Sequence, residues 1–114
     1  MTRTEIKKLD KLWADKVKEL AGWKCEYSGV SNCVLNACHI YGRRNRTLRW
    51  NVENGMCLTY RWHMEYDHHL PAHEDIRREV IGEERLKRLQ DLARTITKNQ
   101  DYETIRNDID NFTR

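Results

Sequence analysis

Apolar residues recur at spacings of three and four near the start of the chain, where Ile6, Leu9, Trp13, Val17 and Leu20 form one stripe. That period predicts an amphipathic helix within residues 1–22. Thr2 with Glu5 fits a capping box, and Gly22 supplies a stop. The stripe reads as a clamp on the core and not as part of a site. Beyond Trp23 the pattern changes. Gly29 and Ser31-Asn32 break the chain, and Val34 to Ile40 has the character of a short strand. The expected unit is a β-hairpin with Cys25 near one end and His39 leaving the other. Residues 42–50 have no period and read as a polar loop, followed by a turn over Asn51 to Gly55. Residues 56–69 read as a short helix that starts near Leu58 or Thr59 and stops before Pro71.

Helical spacing returns in the last third. Ile76, Val80 and Ile81 make one stripe that Gly82 interrupts. Leu86, Leu89, Leu92, Ala93 and Ile96 make the next, and Tyr102, Ile105, Ile109 and Phe112 continue to the end. The pattern predicts an α+β fold in one domain over 1–114. A ββα unit occupies 23–70, with a helix over 1–22 before it and helices over 71–114 after it. No internal repeat or low-complexity tract divides the chain.

Composition narrows the function classes. A chain of 114 residues with 39% hydrophobic residues and a mean hydropathy of −0.94 suits one modest core. No apolar run approaches the roughly 20 residues of a membrane span, and no apolar stretch follows the first basic residues as in a secretory signal. The expected compartment is the cytoplasm, with no membrane partner. Four cysteines in such a chain point to free thiols or metal ligands before disulfides. The net charge is +3, but it is unevenly spread: residues 39–63 carry Arg43, Arg44, Arg46, Arg49 and Arg61 against Glu53 alone. Arginine binds phosphate bidentately, so Arg43, Arg44, Arg46 and Arg49 are candidate nucleic-acid contacts; a solvated loop is the plainer alternative.

Three residues carry candidate chemistry: His39 at a strand end, Asn54 in a turn and His63 on the following helix. A neutral imidazole can deprotonate water. Asp67 follows His63 by four residues, so both project from one helical face as a two-donor platform for a divalent ion. Such an ion stabilises charge on a phosphate and on its leaving oxygen.

The stretches Cys25-Glu-Tyr-Ser28-Gly29, Ala37-Cys38-His39-Ile40, Arg49-Trp50-Asn51-Val-Glu-Asn54-Gly55 and Tyr60-Arg-Trp62-His63 together resemble the HNH endonucleases. Within that family the chain is most similar to small phage or prophage nucleases of the NinG recombination type. These share an Arg-aromatic-Asn segment before the second motif residue and an Ile-Gly-Glu-Glu-Arg run like 81–85. The resemblance covers 23–95, with fifteen residues from His39 to Asn54 and nine from Asn54 to His63.

The resemblance implies a ββα-metal core and a metal-dependent endonuclease acting on DNA. It makes His39 the general base, Asn54 the residue that orients it, and His63 a metal ligand. Asp67 matches a further ligand one turn on, with His68 and His69 as substitutes. Cys38 stands where the family places another metal ligand, usually Asp or His; a thiolate is softer and favours zinc over magnesium or manganese. The implied cofactor is one divalent ion, Mg, Mn or Zn. Many members also hold a structural zinc with two Cys-x-x-Cys pairs. Here these positions read Cys25-x-x-Ser28 and Thr59-x-x-Trp62, so a four-cysteine zinc is not expected, and Trp62 with its neighbours is expected to fill the space. Cys33 and Cys57 lie elsewhere.

Two other readings stand beside the nuclease: a non-catalytic nucleic-acid-binding module with a degenerate HNH fold, and a helical protein-binding adaptor. Double-strand cutting would suit a homodimer and nicking a monomer. The four tryptophans are expected in the core, with Trp50 the best candidate for stacking on a base.

Overall fold

The computed structural model describes residues 1–96 and 100–113. The first helix, α1, spans Arg3–Leu20 and begins with the expected capping box, in which Glu5 N–H donates to Thr2 Oγ1 at 3.1 Å and Thr2 N–H donates to Glu5 Oε1 at 2.9 Å. It ends at Ala21, and Gly22 follows with φ +69°. Leu9, Trp13 and Val17 of the stripe are buried, and Ile6 and Leu20 are packed at its edge.

The strands differ from expectation in one partner. β1 (Leu35–His39) pairs antiparallel with β2 (Gly55–Thr59), bringing Leu35 opposite Thr59 and His39 opposite Gly55. Residues 21–34 hold turns and no strand. Cys25 therefore lies in a turn, where its N–H donates to Val30 O at 2.9 Å and its carbonyl accepts from Gly29 N–H at 2.8 Å. That turn lies beside β2: Glu26 N–H donates to Cys57 O at 2.8 Å, and Cys57 N–H donates to the Glu26 carboxylate at 2.8 Å. The hairpin thus closes around 40–54 and not around Gly29 and Ser31-Asn32. The helix expected within 56–69 with a start near Leu58 or Thr59 begins at Tyr60, and the residues before it form β2, a strand that the continuous apolar run Met56-Cys57-Leu58 does not announce because it carries no period.

Helix α2 spans Tyr60–His68, capped by the Thr59 hydroxyl. α3 (Leu70–Ile76) follows directly with Pro71 in its first turn, so the proline opens a helix as well as ending one. A π-helical turn over Arg77–Ile81 leads to Gly82 (φ +82°) and then to α4 (Glu83–Ala93). α5 covers Tyr102–Asp110. The expected C-terminal segment 71–114 includes 97–99 and 114, which lie outside the described residues. Among the described residues, five α-helices and one two-stranded antiparallel sheet make an α+β fold. No helix is long and apolar enough to cross a membrane.

The sheet separates two apolar clusters because side chains alternate along a strand. One cluster joins Leu9, Trp13 and Val17 of α1 to Trp50, Val52, Cys57 and Ile109. The other joins Cys25, Cys38, Met56 and Leu58 to Tyr66, Ile76 and Ile81. Gly55 lets α1 approach the sheet: a Cβ there would collide with Val17 and come within 2.7 Å of Trp13 Cζ2.

Candidate functional site

His39 is the last residue of β1 and is half-buried. Its ring lies flat against Trp13, with centroids 3.9 Å apart and planes 8° from parallel. The ring Nε2 is 3.0 Å from the Arg49 carbonyl. A carbonyl only accepts, so Nε2 carries the proton, and in the neutral ring the lone pair resides on Nδ1. Burial holds the imidazole below its ordinary pKa of 6.5, outweighing the opposing effect of the Arg49 hydrogen bond, and the nearby Arg43 charge adds to the lowering. The geometry thus makes a neutral imidazole of defined tautomer. The participation of α1 departs from its expected role as a core clamp alone, since Trp13 is a wall of the site.

Asn54 is fully buried. Its Oδ1 accepts from Tyr41 N–H at 2.8 Å, while Nδ2 donates to Tyr41 O at 2.9 Å and to Leu48 O at 3.0 Å. Its own carbonyl accepts from Ile40 N–H at 2.9 Å. One side chain therefore ties the chain leaving His39 to the end of the arginine loop. Asn51 supports it from outside, accepting from Glu53 N–H at 2.9 Å and receiving the Trp13 indole N–H on its carbonyl at 2.8 Å.

The arginines of the loop divide. Arg43, Arg44 and Arg46 are exposed. Arg49 is half-buried and bidentate on Asp10, with Nε to Oδ1 at 3.2 Å and Nη2 to Oδ2 at 2.9 Å. The Trp50 indole N–H also donates to Asp10 Oδ1 at 2.8 Å, and the Arg49 guanidinium lies 5.0 Å from the Trp50 ring centroid. Burial would raise the Asp10 carboxyl, but the hydrogen bonds from Arg49 and Trp50 prevail and hold it below its ordinary value. Arg49 is therefore committed to an internal carboxylate, and Trp50 to the core. Trp23, expected inside, is half-exposed. Asp10 was invisible to the stripe because it is one polar residue beside Leu9 on an otherwise ordinary helix.

On α2, His63 Nε2 lies 3.2 Å from Asp67 Oδ2. The predicted i,i+4 platform exists as a pair. His68 is exposed, and His69 Nδ1 pairs with Glu65 Oε2 at 3.1 Å. Cys38 faces this side of the sheet and is buried. Burial drives its thiol pKa well above the ordinary range, and the Asp67 carboxylate adds to the effect. The sulfur donates to Asn36 O at 3.7 Å. Burial thus favours the thiol over the thiolate that a metal ligand requires. Among the described residues no three His, Cys, Asp or Glu side chains group as a metal site.

The structure therefore gathers the predicted residues in two sets. His39 belongs with Asn54, Arg43 and Arg49 on the α1 side, while Cys38 belongs with Asp67 and its partner His63 on the α2 side.

At the four positions of the Cys-x-x-Cys pairs, Cys25 is buried and receives Ser28 N–H on its sulfur at 3.4 Å. Burial would raise this thiol, but hydrogen bonds from Ser28 and from the backbone of Thr59 and Tyr27 lower it. Tyr27 packs edge-on to Trp62 at 4.7 Å beside it, and Arg61 covers the Trp62 ring at 4.8 Å. Cys33 is exposed and Cys57 buried, and burial pushes the Cys57 thiol up to about 11.

Comparison with known proteins returned no match to a family model, to a curated protein or to a solved structure.

Proposed function

We propose that this protein is an HNH-type, metal-dependent endonuclease that hydrolyses phosphodiester bonds in DNA, with the antiparallel strands and α2 serving as a ββα-metal core. The observation that carries the reading is His39. A half-buried histidine, neutral at ordinary pH, has one nitrogen spent on a main-chain carbonyl and the other left to accept a proton. Asn54, which sits at the motif spacing from it, holds the loop that supplies that carbonyl.

In the mechanism, His39 Nδ1 takes a proton from the attacking water. Trp13 and the Arg49 carbonyl keep the ring from turning, so the lone pair is aimed before substrate arrives. Arg43, Arg44 and Arg46 bind flanking phosphates and carry no base readout. His63 and Asp67 fit a divalent cation as two donors on one helical face, whereas Cys38 fits only after its thiol loses its proton. The chemistry that such an ion supplies when bound is stabilisation of charge on the phosphate and on the leaving oxygen.

Supercoiled plasmid incubated with the protein and Mg²⁺, Mn²⁺ or Zn²⁺ should be nicked, and EDTA should stop it. His39→Ala should lower the rate by about a hundredfold or more, the range of a general base. Equal nicking by this variant, or none by the wild type with any metal, refutes the enzyme. DNA binding retained without nicking would instead define a nucleic-acid-binding module.

A further inference from the structure

A cleft lies between the arginine loop and the C-terminal helix. One wall is made by Ile105 and Asp108 of α5 with Phe112 just after it, at spacings of three and four that keep them on one helical face. The other wall is Arg46, Trp50, Asn51 and Val52. The cleft encloses about 340 Å³, within the range of about 300–1,000 Å³ typical of small-molecule sites. Its loop wall is anchored to the C-terminal segment. The Gln100 side-chain amide donates to Arg46 O at 2.6 Å, and Asn45 Nδ2 donates to Ala93 O at 3.1 Å.

The lining combines apolar surface with two unspent charges. Trp50 and Val52 are buried, while Ile105 and Phe112 are half-buried and offer the apolar surface that a ligand can reach. Glu53 also borders the cleft, but Arg88 neutralises it at 2.9 Å. Arg46 and Asp108 are not accounted for in this way. Both are exposed, and among the described residues neither side chain makes an ion pair or hydrogen bond, with the other or with any neighbour. Arg106, close to Asp108 in the chain, is turned to Glu103 and Asp110 instead.

An apolar slot, a free carboxylate and a free guanidinium together suit a nucleotide. The planar base fills the slot, its N–H groups donate to the carboxylate, and its phosphate binds the guanidinium. The carboxylates of Asp108 and Glu53 repel phosphate from the interior, which leaves the base as the part that enters. We propose that this cleft is a base pocket that receives an unpaired nucleotide of the DNA strand, with Arg46 on the adjoining phosphate and Asp108 on the Watson–Crick edge. This inference rests on the nuclease reading for the identity of the strand. Guanine fits best, because it alone presents two adjacent donors, N1–H and the 2-amino group, to a single carboxylate. In a duplex that edge is paired with cytosine, so the pocket selects a base that is bulged, frayed or single-stranded.

The test uses the full chain in EDTA, since the pocket calls for no metal, and fluorescent DNA duplexes that differ at one bulged position. A bulged guanine should bind about tenfold more tightly than the fully paired duplex, the worth of one stacked base with its charge-assisted hydrogen bonds. An abasic bulge keeps the phosphates and removes the base, and should return to the affinity of the paired duplex. Asp108→Asn should level the affinities for guanine, adenine, cytosine and thymine bulges, compared within that variant. Arg46→Gln should weaken the salt dependence by about one unit of slope, the signature of one lost phosphate contact. Equal affinity for guanine and abasic bulges overturns the proposal, and so does a guanine preference that survives Asp108→Asn. Guanosine monophosphate bound by the wild type without any preference for the bulged duplex would give the pocket to free nucleotides and overturn the strand. A bulge preference without plasmid nicking under any metal keeps the pocket and ends the nuclease reading. Nicking without a bulge preference does the reverse, and absence of DNA binding overturns both.

Discussion

The two faces of the β1–β2 ribbon are built to different standards of completeness. On the α1 face, the amide of Asn54 has all its donors and its acceptor engaged, Asp10 is shared between Arg49 and Trp50, and His39 has a fixed ring plane and a fixed tautomer. On the α2 face, among the described residues, the Tyr66 hydroxyl is unpartnered, the Cys38 thiol makes only a long bond to Asn36 O, and His63 and Asp67 find only each other. On the proposed nuclease reading, the difference is that of a preorganised group and a receiving one. A general base gains from being immobile before substrate arrives. Groups that bind a cation or a phosphate must be partly unsatisfied until it comes, and they carry the cost of that state in the free protein.

If this contrast is real, the α1 face should fail first and hardest when its network is cut. Asn54→Ala leaves the Tyr41 N–H and two carbonyls without partners in a site closed to water. It should destabilise the protein by about 3–4 kcal/mol in urea unfolding. A loss below about 1 kcal/mol would show that water or a rearranged loop replaces the amide, and the face would not be rigid.

The contrast should also appear in the pH dependence of stability. His39 has a folded pKa below its ordinary 6.5, so the unfolded chain binds the proton more readily. Stability contributed by the neutral ring is complete above that ordinary value, falls as pH drops through it, and levels off once the folded ring also titrates. Comparing urea midpoints at about pH 5 and about pH 8 for wild type and His39→Gln isolates the effect. A variant as acid-sensitive as the wild type would place the titration elsewhere.

The smallest effect belongs to the α2 face. His63→Ala removes one solvent-touching helix pair and should cost at most about 0.5 kcal/mol. EDTA should leave the helical circular dichroism of the wild type unchanged, because Tyr27 and Trp62 pack against each other beside Cys25 and fill that corner with side chains. Loss of helix on chelation would show that a metal holds the fold.

The parts of this molecule that were legible from the chain were those whose information is local. The capping box of Thr2 and Glu5, the stripe of α1 and the spacing of His63 and Asp67 each lie within one or two helical turns. β2 was not legible, because Met56, Cys57 and Leu58 are apolar without a period and only their pairing with Ala37 and its neighbours makes them a strand. The true hairpin was missed for the same reason: the turn residues near Gly29 looked like its loop. Asp10 and Arg49 are 39 positions apart, and no local signal announces a pair at that separation.

The chain by itself determined which residues are candidates for a base, for ligands and for phosphate binding, and which stripes must be buried, since both follow from side-chain type and short-range period. Only the tertiary structure decided how that chemistry is distributed. It turned His39 toward Trp13 and the Arg49 carbonyl, turned Cys38 to the opposite face, and took Arg49 out of the set of free arginines. Hydrogen-bond partners, tautomers and burial depend on which distant segments are packed together, and the packing of α1 and α2 on opposite faces of a two-stranded ribbon settles that here.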